Sequence, residues 1–243
     1  MKKLMFVAAA ALCASVFAAA IESSNIVGYA QNELKSGNSL VGAQFMAIGS
    51  DAGMPLQSVK PTGSDTSDNV YLSTLDALGF TVTTYSWVNW AGDNGDQEAW
   101  IDDDFAIVED VTFAPGAAVW VQASSSEQGV QTAGQVGSSD VVVKLRSGNT
   151  AVANPFPVAV DLQDILPTGE GTSDNVYAST LDALGYTIKT YSWVNWAGDN
   201  GDQEAWIDDD FAIVEGVKIA PGAGLWVQGS SGSQGIRIPA PEL

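Results

Sequence analysis

TYSWVNWAGDNGDQEAWIDDDF runs from Thr84 to Phe105 and recurs unchanged from Thr190 to Phe211. Asn94-Gly95 predicts a tight hairpin, because a type I′ turn requires positive φ at both central residues. Folding the chain there sets Asp93 opposite Asp96, Ala91 opposite Glu98, Asn89 opposite Trp100 and Trp87 opposite Asp102. Side chains alternate across a strand, so Tyr85, Trp87 and Trp100 share one face while Val88, Trp90, Ala99 and Ile101 share the other. Both faces are apolar. One must pack into a core, and the other is either covered by a loop or partner or left open as an aromatic platform.

The repetition extends well beyond the hairpin. Thr66 to Val111 aligns with Thr172 to Val217 with five differences in forty-six positions: Leu72/Ala178, Phe80/Tyr186, Val82/Ile188, Thr83/Lys189 and Asp110/Gly216. Upstream, NELKSGNSLVGAQF pairs with VKLRSGNTAVANPF; downstream, FAPGAAVWVQ pairs with IAPGAGLWVQ. A period above one hundred residues is that of a domain rather than a solenoid unit of 20–50 residues. The expected organisation is therefore a leader over 1–20, one β-rich repeat domain over 21–137 and a second over 138–243.

Each copy reads as strands. SNIVGYAQNEL, NSLVGAQF, DNVYLSTLD, GFTVTTYSWVNW, QEAWIDDDF, VTFA and AAVWVQA are short runs rich in Val, Thr, Tyr and Trp, punctuated by Gly, Pro, Asn and Asp. LQSV and DLQDIL read as brief helical turns. DNVYLSTLDALG fits a helix as well, with Tyr71, Leu75 and Leu78 on one face, but its scarcity of strong helix formers favours a strand. The fold class is all-β: two tandem β-sandwich or small-barrel domains from an internal duplication.

The chain opens MKKLMFVAAAALCASVFAAA, with Lys2 and Lys3 before an apolar run and small residues at Ala18 to Ala20, the pattern of a secretory signal peptide. The apolar run is too short for a membrane span. Its removal takes the only cysteine, Cys13, and leaves no disulfide or thiolate chemistry. It also leaves seven basic against twenty-nine acidic residues, a net charge of −22. That charge excludes nucleic acid and disfavours anionic membranes. The expected location is secreted or cell-surface, with the periplasm as the alternative.

Burying one tryptophan contributes on the order of 4 to 6 kcal/mol of gross hydrophobic stabilisation, from roughly 150 to 250 Å². Four per copy must matter to folding unless exposed. With valine and isoleucine marking the Trp90 face as the core side, the candidate ligand-binding residues are Tyr85, Trp87, Asn89 and Trp100, and in the second copy Tyr191, Trp193, Asn195 and Trp206. The acids Asp93, Asp96, Glu98, Asp102 and Asp104, with Asp199, Asp202, Glu204, Asp208 and Asp210, are calcium candidates, since a cation would relieve their mutual repulsion. They do not fit the EF-hand loop: its third and fifth positions would be Gly95 and Gln97. No other cofactor is expected. The absence of histidine removes triad catalysis and most zinc sites. A glycan-acting hydrolase with Glu98 or Glu109 as acid is the distant alternative.

The opening SNIVGYAQNEL, the GNSLVGAQF and GNTAVANPFP segments, the aromatic-acidic hairpin and the closing APGAAVWVQ and APGAGLWVQ resemble the secreted β-rich modules of Gram-negative bacteria that begin with a "VGY" strand and end with "PGxGxWV". The resemblance spans nearly the whole mature chain and implies an exported, tandem, all-β protein without assigned catalysis. The copies diverge at Ala43-Gln44 against Asn154-Pro155 and at Ala118 against Gly224, so they need not bind alike. Independently of the resemblance, Pro115-Gly116 and Pro221-Gly222 suit type II turns that set Trp120 and Trp226 on inward-packing strands. The expected function is an exported, non-enzymatic binding or structural protein, with a carbohydrate or another copy of itself as partner and a calcium-stabilised surface module as the alternative.

Overall fold

The computed structural model describes residues 27–34, 36–49, 53–75, 81–92, 95–181, 187–198, 201 and 203–241. The expected leader and Cys13 lie outside them. Over the described residues the protein is all-β, built of antiparallel sheets none of which closes into a barrel, so the sandwich expectation holds and the barrel alternative is corrected. Among the described residues no helix is long and apolar enough to cross a membrane.

In the first copy a five-stranded sheet runs in the order Gly37–Gly42, Ala118–Ala123, Val70–Leu75, Thr81–Ala91, Gln97–Ile101. A three-stranded sheet of Val27–Glu33, Gly129–Gln135 and Lys60–Thr62 lies across its inner face. The second copy repeats the topology, from Gly148–Ala153 to Gln203–Ile207 in the large sheet and with Val141–Lys144, Gly235–Ile238 and Leu166–Thr168 in the small one. DNVYLSTLD is a strand over Val70–Leu75. The LQS and LQD turns are single 3-10 turns over Leu56–Ser58 and Leu162–Asp164. Gly129–Gln135 escapes sequence reading because GVQTAGQ is poor in bulky β-formers. Its glycines are needed for closeness: a Cβ on Gly134 would lie 2.4 Å from the Met46 carbonyl oxygen.

Each copy surrounds its own apolar core. Leu72, Trp87, Trp100 and Val121 of the large sheet meet Leu34, Val59 and Val130 from the opposing layer. Trp206, Trp193, Leu162 and Ile236 occupy the second core. Trp100 is fully buried, so its indole N–H needs a partner, and it donates to the Val59 carbonyl at 2.6 Å; Trp206 does the same to Ile165 at 2.7 Å. Gln57 completes the clamp, with Nε2 donating to the Trp100 and Val108 carbonyls and Oε1 accepting the Trp100 backbone N–H. Gln163 repeats it around Trp206.

The copies meet along a pseudo-two-fold axis. Gly42 N–H donates to the Gly222 carbonyl at 3.0 Å, and Ala153, the counterpart of Gly42, donates to Gly116, the counterpart of Gly222, at 2.9 Å. The isolated bridges Val41–Ala223 and Ala117–Val152 are related in the same way. Such reciprocity defines an isologous contact. The turns after Ala114 and Ala220 are closed by Ala117 N–H and Ala223 N–H, with Gly116 and Gly222 at φ 79° and 66°, as a type II turn requires. They set Trp120 against Trp226 across the axis, ring centroids 6.2 Å apart.

The symmetry breaks at three buried positions. Among the described residues, Asn32 Nδ2, Gln44 Oε1 and Thr132 Oγ1 have no hydrogen-bond partner, and their second-copy counterparts are Val143, Pro155 and Ile238. A buried unpaired hydroxyl costs stability, so Thr132→Val is expected to stabilise the protein by about 1 kcal/mol. Trp100→Ala, in contrast, is expected to cost about 3 to 5 kcal/mol. Urea unfolding followed by circular dichroism reads both; a Thr132→Val midpoint below the parent's would contradict the first.

Candidate functional site

The hairpin folds in a register two residues away from the one expected from Asn94-Gly95. Gly95 N–H donates to the Gly92 carbonyl at 3.0 Å, so Gly92 and Gly95 are the turn's outer residues, and its two central residues, Asp93 and Asn94, lie outside the described set. Trp87 therefore pairs with Trp100 rather than Asp102, and Val88 with Ala99. A shift of two preserves which side chains share a face.

What the register does not preserve is the expected core side. Tyr85, Trp87 and Trp100 are 8%, 4% and 0% exposed, and Tyr191, Trp193 and Trp206 are 5%, 4% and 0%. The face assigned to ligand contact is the core itself, with Trp87 and Trp100 packed edge to face at 5.5 Å. The expectation that these rings form an open platform is corrected: the 3-10 turn and the small sheet cover them. The other face is also covered, through Val88, Ala91, Ala99 and Ile101, by Ile107 of the returning chain.

Trp90 is the exception, and the expectation that it marks the core side is corrected as well. Pairing slips between Val88 and Ala91, a bulge that holds Asn89 and Trp90. Bulges re-aim side chains, and both residues are exposed, Trp90 to 39%. The Trp90 indole N–H donates to Asp68 Oδ2 at 3.1 Å, and Asp68 itself stands in the left-handed region at φ 58°. The Ser67 hydroxyl oxygen accepts the Asn89 backbone N–H at 3.1 Å and lies within reach of Asn89 Oδ1 and Asp68 Oδ2.

Phe105 completes the group. It is 70% exposed, its ring lies 6.1 Å from Trp90, and its φ is 61°. An aromatic residue in the left-handed region is strained, and such strain persists where the surroundings impose it. Here the preceding acids impose it. Asp102 Oδ1 accepts the backbone N–H groups of Asp104 and Ala106 at 3.0 and 2.9 Å, while Phe105 N–H donates to the Asp102 carbonyl. The IDDDF run is thus an Asx-type turn that forces an aromatic ring outward. Trp196, Asp174, Ser173, Asn195, Asp208 and Phe211 repeat the arrangement, with Trp196 39% and Phe211 71% exposed.

Beside Trp90 lies a hollow of about 400 Å³ lined by Asp65, Thr66, Ser67, Asn69, Asn89 and Glu98. Ser67 and Asn89 belong to both the hollow and the network that anchors Trp90. The site thus offers two exposed ring faces next to hydroxyl, amide and carboxylate groups. Asn89 and Asn195 are the candidates from the sequence that the site retains. Trp90, Phe105, Asp68 and Ser67 were missed; the acid-turn spacing ahead of Phe105 was the available signal.

Of the calcium candidates, Asp93, Asp199 and Asp202 lie outside the described residues. Among the described residues no group of three or more acidic side chains lies close together, and Asp102 and Asp208 serve their turns. Glu98 and Glu109 are exposed. Burial, with the Asp102 charge adding to it, pushes the Tyr85 hydroxyl above its ordinary value.

Comparison with protein-family models, with curated proteins and with solved structures returned no match.

Two outcomes are expected from this geometry. Phe105→Gly removes left-handed strain and stabilises the protein by about 1 kcal/mol, read as a higher urea midpoint at unchanged slope. The raised Tyr85 pKa means that the unfolded chain releases this proton first. Its contribution is whole below about pH 10 and is lost as pH rises further, so Tyr85→Phe flattens the alkaline fall in stability.

Proposed function

We propose that this is an exported, non-enzymatic binding protein of the cell surface or extracellular space that recognises carbohydrate through the Trp90–Phe105 site and its Trp196–Phe211 counterpart. One observation carries the reading: in each copy an exposed aromatic pair, anchored by a carboxylate, stands beside polar side chains. A sugar ring offers an apolar C–H face to stack on an aromatic plane, and its hydroxyls need donors and acceptors such as Ser67, Asn69 and Asn89. The leader supports export, and the lack of histidine supports a role without catalysis. The net charge favours neutral or amine-bearing glycans over anionic ones.

Self-assembly is the second reading. It is supported by the outer edges of Val27–Glu33 and Val141–Lys144, which have no strand partner among the described residues and expose Val27, Tyr29 and Val142.

Affinity electrophoresis through gels containing glucan, mannan, xylan, chitosan or alginate, each with calcium and with a chelator, tests the carbohydrate reading. At least one neutral or cationic polysaccharide is expected to retard the protein. Trp90→Ala with Trp196→Ala is expected to weaken binding at each site by about tenfold or more, the scale of one lost aromatic contact. Retardation that survives both substitutions in a folded protein removes the proposed site, and calcium-dependent retardation would bring the acidic residues into it.

A further inference from the structure

We infer that the protein binds two glycan strands at once and cross-links them. The inference rests on the carbohydrate reading above and follows from how the two sites are held. Their rings and anchors are the same, although Asp65 of the first hollow is Gly171 in the second copy: the Trp–Asp hydrogen bonds are 3.1 and 3.0 Å, the ring separations 6.1 and 6.2 Å, and the Phe φ angles 61° and 62°. A strand that fits one in a given direction fits the other in the equivalent direction.

The sites are also fixed in relation to each other. The reciprocal hydrogen bonds of Gly42 and Ala153, the Trp120–Trp226 contact and the buried Leu40, Ala118 and Ala153 join the copies. Gly42 has no room even for a methyl group, whose carbon would fall 2.0 Å from the Ala153 Cβ. The operator relating the copies is a two-fold rotation, since each contact recurs with the roles exchanged.

A two-fold rotation carries a directed line onto itself in the same direction only when that line is the axis. The axis passes between Trp120 and Trp226, whereas the sites lie on the bulged hairpin strands of the separate large sheets. One straight polysaccharide strand, which has a reducing and a non-reducing end, therefore cannot cross both sites in equivalent poses. Two strands, or two segments of a folded one, can. On a surface dense in glycan the second engagement is governed by local concentration, and avidity rises without any new contact.

The test uses the processed protein and whichever soluble polysaccharide retards it most. The parent is expected to form turbid precipitates with high-mass polysaccharide, greatest at an intermediate ratio and dispersed by excess short oligosaccharide. Trp90→Ala and Trp196→Ala, each alone, are expected to bind but to precipitate far less, and to lose about tenfold in apparent affinity for immobilised polysaccharide, the loss at the one altered site carried through to the linked pair. Phe105→Ser and Phe211→Ser supply a second, more exposed pair of variants should a tryptophan change disturb folding. Light scattering of the protein alone separates cross-linking from self-association. Binding without precipitation, with single-site variants losing only half the stoichiometry, overturns the inference and leaves the carbohydrate reading standing. Undiminished precipitation by single-site variants also overturns it. Absence of binding to every polysaccharide overturns both.

Discussion

The indole of Trp100 ties the two layers of the first copy together. It is fully enclosed, and its one polar atom is matched to the Val59 carbonyl on the opposing layer. A buried N–H without an acceptor costs more than most single contacts contribute, so the large sheet and the 3-10 turn segment cannot move apart independently. Gln57 extends the constraint by bridging backbone groups of Trp100 and Val108. The same clamp recurs around Trp206 and Gln163. The described residues contain no cysteine, so such packing stands in place of disulfide staples there.

With that face of the hairpin committed to the core, chemistry at the surface falls to residues the alternation rule would have buried. The bulge at Asn89 and Trp90 turns one tryptophan out, and the Asp102 turn holds Phe105 out at a backbone angle that non-glycine residues seldom adopt. Both devices are local, and both appear twice. The acidic residues of the motif divide accordingly: Asp102 shapes a turn and Asp68 anchors an indole, whereas Glu98 borders the adjacent hollow.

The contact between the copies adds a long-range constraint. Glycines at the axis bring backbones together, and the Trp120–Trp226 pair fills the space beside them. The first copy places Asn32 and Gln44 beside Gly222, where the second places Val143, the counterpart of Asn32, beside Gly116, so the two halves of this contact are alike in geometry but not in polarity.

The sequence by itself determined the all-β class, most of the large-sheet strands, the brief helical turns and the type II turns at Pro115 and Pro221, because alternation, β-branched composition and glycine or proline at fixed offsets are local properties. It also determined which side chains of the hairpin share a face, since a register error of two leaves alternation intact. It left open which face is inside: Tyr85, Trp87 and Trp100 are no less apolar than Val88, Trp90 and Ile101. Only the tertiary structure decided that, because the choice depends on the reach of Gln57 and Val59 from more than forty positions away in the chain. The exposure of Trp90 was decided in the same way, by a bulge held through Ser67 and Asp68 from 22 positions away, whereas the turn that holds Phe105 outward is local to the IDDDF run.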